Sequence, residues 1–139
     1  TPDGLKNVLD SIKNFAEGKI ITVFGCGGDR DSKKRPIMGS IAEKFSDQIF
    51  LTSDNPRTEN PNKIINDILN GIQNRNKIIV DINRYSAIQK AINLGKSDDI
   101  ILIAGKGHEN YQILKNETID FDDKKVANSL LIEKLNLLI

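Results

Sequence analysis

Lys19-Ile20-Ile21-Thr22-Val23-Phe24, running into Gly25-Cys26-Gly27-Gly28, is the stretch that decides the architecture. After Lys19 the next five residues are apolar or β-branched, which suits a strand covered on both sides, and the glycines end it in an open turn. Such a strand belongs to a parallel sheet flanked by helices, and the neighbouring segments supply them. Upstream, Leu5, Val8, Leu9, Ile12 and Phe15 recur at helical spacing, with Thr1 or Asp3 as the cap and Gly18 as the end. Downstream, Ile37, Met38, Ile41, Ala42 and Phe45 predict a helix over 37–45, and 48–52 a second strand. Asn60-Pro61 then opens a helix carrying Ile64, Ile65, Ile68, Leu69 and Ile72. A strand over 77–82, a helix over 85–94 ending at Gly95 and a strand over 99–104 continue the alternation. Segments 111–114 and 117–121 around Lys115-Asn116 predict a hairpin at the sheet's edge, and Asp122 opens a last helix with Val126, Leu130, Leu131, Leu135 and Leu138. The expected fold is α/β: a Rossmann-like, doubly wound, mostly parallel sheet with a short antiparallel hairpin edge. Residues 1–18 form its lead-in helix and 19–139 the domain proper.

Composition narrows the function classes. The 139 residues suit one hydrophobic core. At 38% hydrophobic and 28% charged, the chain is neither disordered nor membrane-spanning. A net charge of +1 offers no excess for nucleic acid or acidic lipid. A single Cys and a single His make neither a disulfide nor the usual zinc sites, so no metal is expected and a reducing, cytoplasmic setting fits. With no initiator Met and no signal peptide, the chain reads as cut from something larger.

Three loops fall at the carboxyl ends of strands, where open α/β sheets bind ligands. Residues 25–35 put glycines beside Arg30, Lys33, Lys34 and Arg35, a composition suited to an anion and equally to a solvated turn with salt bridges. The Gly-x-x-x-x-Gly-Lys-Ser/Thr phosphate loop is absent, and Gly25-x-Gly27 lacks the third glycine of a dinucleotide site. Asp54-Asn55-Pro56-Arg57 is by residue type either a carboxylate grip through Arg57 or an ordinary turn. Gly105-Lys106-Gly107-His108-Glu109 offers close backbone approach, two cations or donors, and Glu109 as an ammonium acceptor; lone His108 is equally a surface residue. Cys26 reads as a small apolar filler.

Taken together, Phe24-Gly25-Cys26-Gly27-Gly28-Asp29-Arg30-Asp31, Lys34-Arg35-Pro36-Ile37-Met38-Gly39, Thr52-Ser53-Asp54-Asn55-Pro56-Arg57 and Ala104-Gly105-Lys106-Gly107-His108-Glu109-Asn110-Tyr111-Gln112 resemble the C-terminal domain of the Mur ligases, in the UDP-N-acetylmuramoyl-tripeptide synthetase branch. The resemblance covers essentially the whole chain, and Thr1-Pro2-Asp3 is similar to the end of the family's His-x-Pro-Asp segment. It implies an ATP-dependent ligase of peptidoglycan synthesis, in which ATP and Mg2+ activate UDP-MurNAc-L-Ala-D-Glu as an acyl phosphate and a diamino acid attacks it. It implies meso-diaminopimelate against Arg30, Asp54, Asn55, Arg57, Gly105 and Glu109, with Pro56 shaping the turn. Arg30 is also implied as a phosphate contact. The partners are then the enzyme's own central ATPase and N-terminal UDP-substrate domains. ATP and Mg2+ belong to those domains, this one carries no catalytic group of its own, and alone it is expected neither to hydrolyse ATP nor to form amides. The alternatives are a relative adding L-lysine, another ligase of the superfamily, or a stand-alone binding module.

Overall fold

The β-branched run becomes β1 (Ile20–Phe24), buried along its whole length. The computed structural model describes residues 1–137, so Leu138 of the expected last helix lies outside the described residues. Parallel to β1 run β2 (Gln48–Leu51) on one side and β4 (Ile100–Ile103) on the other, with β3 (Ile78–Val80) beyond β2, giving the order β3-β2-β1-β4. Thr22 of β1 sits opposite both Ile49 and Leu102.

Alternation along the strands sorts the core into two layers. Ile20, Phe24, Ile49 and Leu51 pack against α1 (Pro2–Phe15), α2 (Lys34–Phe45) and α3 (Pro61–Leu69). Ile21, Val23 and Phe50 pack against α4 (Arg84–Leu94) and α5 (Asp123–Leu137). Thr22 is the polar residue among these, and its hydroxyl is satisfied by Ser46 Oγ at 2.7 Å. Leu5, Leu9 and Ile12 bring α1 into the first layer, so the lead-in helix shares the sheet's core.

Helix starts follow the expected chemistry. Thr1 Oγ1 accepts from Gly4 N at 3.0 Å, Asn60 caps α3 ahead of Pro61, and Asn83 caps α4 through Ser86 N. α2 starts at Lys34, three residues before the expected Ile37, because Pro36 falls in its first turn, where no N–H is needed. Val8 and Phe15, expected on the buried face of α1, are exposed; Leu131 and Leu135 of α5 are exposed as well. These positions flank narrow stripes whose centres alone reach the sheet.

The hairpin forms as β5 (Tyr111–Ile113) and β6 (Thr118–Asp120), but as a separate two-stranded sheet and not as an edge of the main one. Its free side is already satisfied elsewhere. Ile113 O accepts from Arg57 N at 3.2 Å, Ile113 N donates to Asn55 Oδ1 at 2.9 Å, and Gln112 Nε2 donates to Asp54 O at 2.8 Å. The hairpin is thus docked on the 53–58 loop.

Candidate functional site

The loops after β1, β2 and β4 meet at the carboxyl end of the sheet, and buried polar bonds hold them there. Gly28 N donates to Asn55 O at 2.8 Å, and a Cβ on Gly28 would lie 1.8 Å from Pro56 O, so the first two loops cross at backbone contact. Asp29, at φ 55°, accepts from Thr58 N and Thr58 Oγ1, clasping the same pair. Arg35 is buried beneath them, donating to Glu59, Asp67 and Gly27 O. Those bonds hold Glu59 well below its ordinary 4.5, at about 2. Arg84, the first residue of α4, reaches Ser53 O at 3.0 Å and Ala104 O at 3.1 Å while gripping Asp123 with Nε and Nη2 at 2.8 and 2.7 Å. It therefore ties together the last residues before the second and third loops.

Under the cleft lies a second polar cluster. Lys106 is fully buried, and Nζ donates to Asn55 Oδ1 and Tyr111 O, both at 2.8 Å. The same ammonium stands 3.6 Å from Asp54 Oδ1 and 3.7 Å from Glu109 Oε1. Asn55 Nδ2 donates to Glu109 Oε1 at 2.9 Å. Burial pushes the Asp54 carboxyl above the usual carboxylate value, against the pull of Arg84 and Lys106. Burial lowers Lys106, with Asp54 opposing.

Above this cluster opens a cleft of about 440 Å³ lined by Arg30, Asp54, Asn55, Arg57, Gly105 and Glu109 among others. Six of the seven expected site residues thus converge. Pro56 does not line it: its ring is buried and faces cavities on the far side of the loop, so its part is to hold the turn against Gly28. Arg57 and Arg30 both pass over Gly27, whose Cβ, if present, would lie 2.9 Å from Arg57 Nη1 and 3.5 Å from Arg30 Cγ. Arg57 spends one N–H on Gly28 O at 3.0 Å, and exposed Arg30 spends one on Asp29 O at 3.1 Å. The remaining guanidinium donors are available to an anion. Arg57 also holds φ at 52°, a conformation a bulky residue adopts only where its surroundings impose it.

Cys26 lines the cleft, yet burial pushes its thiol up to about 11, and Sγ lies 3.6 Å from Met38 Sδ, as a filler would. His108 is exposed. Among the described residues no group of three His, Cys, Asp or Glu could hold a metal ion, and no helix is long and apolar enough to cross a membrane. Sequence reasoning missed the buried roles of Lys106, Arg35 and Arg84. For Lys106 a local signal existed: the positive φ of Gly105 (115°) and Gly107 (56°) lets the chain turn so that the residue between them points inward.

Residues 1–107 match the Mur ligase, glutamate ligase domain. The chain belongs to the Mur ligase family. Among its curated relatives, the UDP-N-acetylmuramoyl-L-alanyl-D-glutamate–2,6-diaminopimelate ligase of Prochlorococcus marinus subsp. pastoris is 63% identical over 134 residues, covering 96% of this chain and 26% of that protein. The ligase of the same description numbered 1 in Clostridium acetobutylicum is 56% identical over 133 residues, covering 96% and 27%. A solved structure of a ligase so described superposes with a TM-score of 0.92 at 40% identity, over 97% of this chain and 28% of that one. This Mur ligase domain therefore spans about a quarter of the length of the curated relatives it matches.

Proposed function

We propose that this domain binds the incoming amino acid of an ATP-dependent ligase that joins meso-diaminopimelate to UDP-MurNAc-L-Ala-D-Glu in peptidoglycan synthesis. Residues 19–139 form the binding part, residues 1–18 its lead-in helix, and the central ATPase and N-terminal UDP-substrate domains are its partners in the cytoplasm. The observation that carries the reading is that Arg30, Arg57 and Glu109 face one cleft: two guanidiniums with open donors and one carboxylate. Diaminopimelate differs from lysine by a second carboxylate, and a guanidinium meets a carboxylate through parallel hydrogen bonds. Glu109 is placed for an ammonium. Lysine would leave a guanidinium unmet in the closed site, at a cost of about 1–3 kcal/mol.

In the proposed reaction, the substrate's terminal carboxylate takes the γ-phosphoryl group of ATP. The free amine of diaminopimelate attacks the acyl carbon, the C–O bond to phosphate breaks, the amide forms and a proton is released. ATP and Mg2+ supply the activation and are held by the rest of the enzyme. This chain's residues bind and orient the diamino acid, and Arg30, exposed on the cleft lining, is the cation assigned to the phosphate charge.

In the full-length protein, Arg57→Ala should raise KM for meso-diaminopimelate at least about tenfold and leave KM for ATP within twofold. Equal rises in both would count against the reading.

A further inference from the structure

We propose that Lys106 is a positioning residue for the amino-acid cleft, its buried ammonium setting which way the Asn55 amide faces and balancing the two carboxylates beneath the ligand. The proposal rests on the amino-acid-binding reading above. Asn55 Oδ1 accepts from two groups that can only donate, Lys106 Nζ at 2.8 Å and Ile113 N at 2.9 Å. Turning the amide over would set its NH2 against an ammonium and a backbone N–H, so the orientation is forced. Nδ2 is consequently aimed at Glu109 Oε1, 2.9 Å away, with its second N–H left for a ligand acceptor.

Charge gives Lys106 a second task. Asp54 Oδ1 and Glu109 Oε1 lie 3.6 and 3.7 Å from its Nζ, on either side of the floor of the cleft. Without Lys106 the two carboxylates would lose the ammonium they share, and Asp54 would keep Arg84, already committed to Asp123, as its neighbouring cation. Tyr111 O takes another Lys106 proton, so one ammonium joins the 53–58 loop, the third loop and the hairpin. Lys106 itself is buried away from the cleft, and its effect passes through Asn55 and Glu109.

The test uses the full-length protein with Lys106→Met, Asn55→Ala and the double variant, each checked for native circular dichroism and thermal transition. KM is measured for meso-diaminopimelate and for ATP. The expected result is a rise of about tenfold or more in KM for the diamino acid in both single variants, KM for ATP within twofold, and a double variant whose rise is smaller than the product of the two single rises, because the two share the Asn55 contact. If Asn55→Ala raises that KM and Lys106→Met does not, or if Lys106→Met raises both constants alike, the positioning role is overturned while the cleft assignment stands. If neither single variant moves KM for the diamino acid, the cleft assignment fails and the proposal with it. Should Lys106→Met not fold, Lys106→Gln, which keeps an N–H donor for Asn55 Oδ1 and loses the charge, tests the charge-balancing task by the same KM split.

Discussion

Replacing Arg84 with methionine should remove most of what aligns the second and third loops, and the size of the loss follows from its partners. The guanidinium is fully buried and makes four hydrogen bonds, two to Asp123 and one each to Ser53 O and Ala104 O. Methionine matches its apolar length and donates nothing. Asp123, whose side chain is 10% exposed, would be left without its cation, and breaking a buried pair in this way costs about 3–5 kcal/mol. For a domain of this size each kcal/mol lowers Tm by about 3–4 °C, so the drop should be roughly 9–20 °C. Thermal denaturation of the 139-residue chain at pH 7, followed by circular dichroism, measures it. The double variant Arg84→Met with Asp123→Leu should recover at least about a third of the loss, since neither charge of this pair is left unpartnered and only two carbonyls lack their donor. A single-variant drop under about 4 °C, or a double variant less stable than the single, would refute the reasoning.

Other consequences follow from the same geometry. Glu59 sits at about 2 instead of 4.5 because Arg35 binds it, so its contribution is complete above pH 4.5 and is lost as pH falls toward 2. The shift corresponds to about 3 kcal/mol, reduced to about 1–2 by water at its open edge; Tm should fall over that window by more in wild type than in Glu59→Gln, where Asp67, Asp81 and Asp99, also held low, still contribute, and an equal fall in both would contradict it. Cys26, with its thiol near 11, should stay unmodified by a disulfide reagent at pH 8 for hours and react at once in denaturant; rapid labelling of native protein would show an activated thiol. Gly28→Ala would press a methyl to 1.8 Å from Pro56 O, so the loops must part, with a Tm loss of at least several degrees; an unchanged Tm would mean that the crossing is loose.

The sheet and its helices were legible because buried parallel strands and amphipathic helices write their periods into the chain, as Ile20–Phe24 and Ile64, Ile65 and Ile68 do, although α3 ends at Leu69 and the buried Ile72 follows it outside the helix. The loops' convergence followed from the rule that ligands bind at the carboxyl ends of such strands. Apart from the glycines that flank Lys106, nothing in the chain made the buried cations legible. Arg35, Arg84 and Lys106 sit among polar residues and read as solvated, and their partners Glu59, Asp123 and Asn55 lie 24, 39 and 51 positions away. Only the tertiary structure pairs them. The hairpin's docking was hidden for a like reason: its strands are three residues each, and what they pair with is decided by the Asn55 side chain. Lys106 and Asn55 also change how the second loop works, since Asn55 spends both acceptor sites and one N–H of its amide on the protein.

With Arg30 and Arg57 on one cleft, the domain is proposed to select a diamino acid carrying a second carboxylate. Phosphate release by the full-length protein, with ATP and UDP-MurNAc-L-Ala-D-Glu present, measured with meso-diaminopimelate and with L-lysine, tests it most directly. A kcat/KM at least about tenfold higher for meso-diaminopimelate, narrowed by Arg57→Ala, is the predicted result. Equal or better use of L-lysine would contradict it.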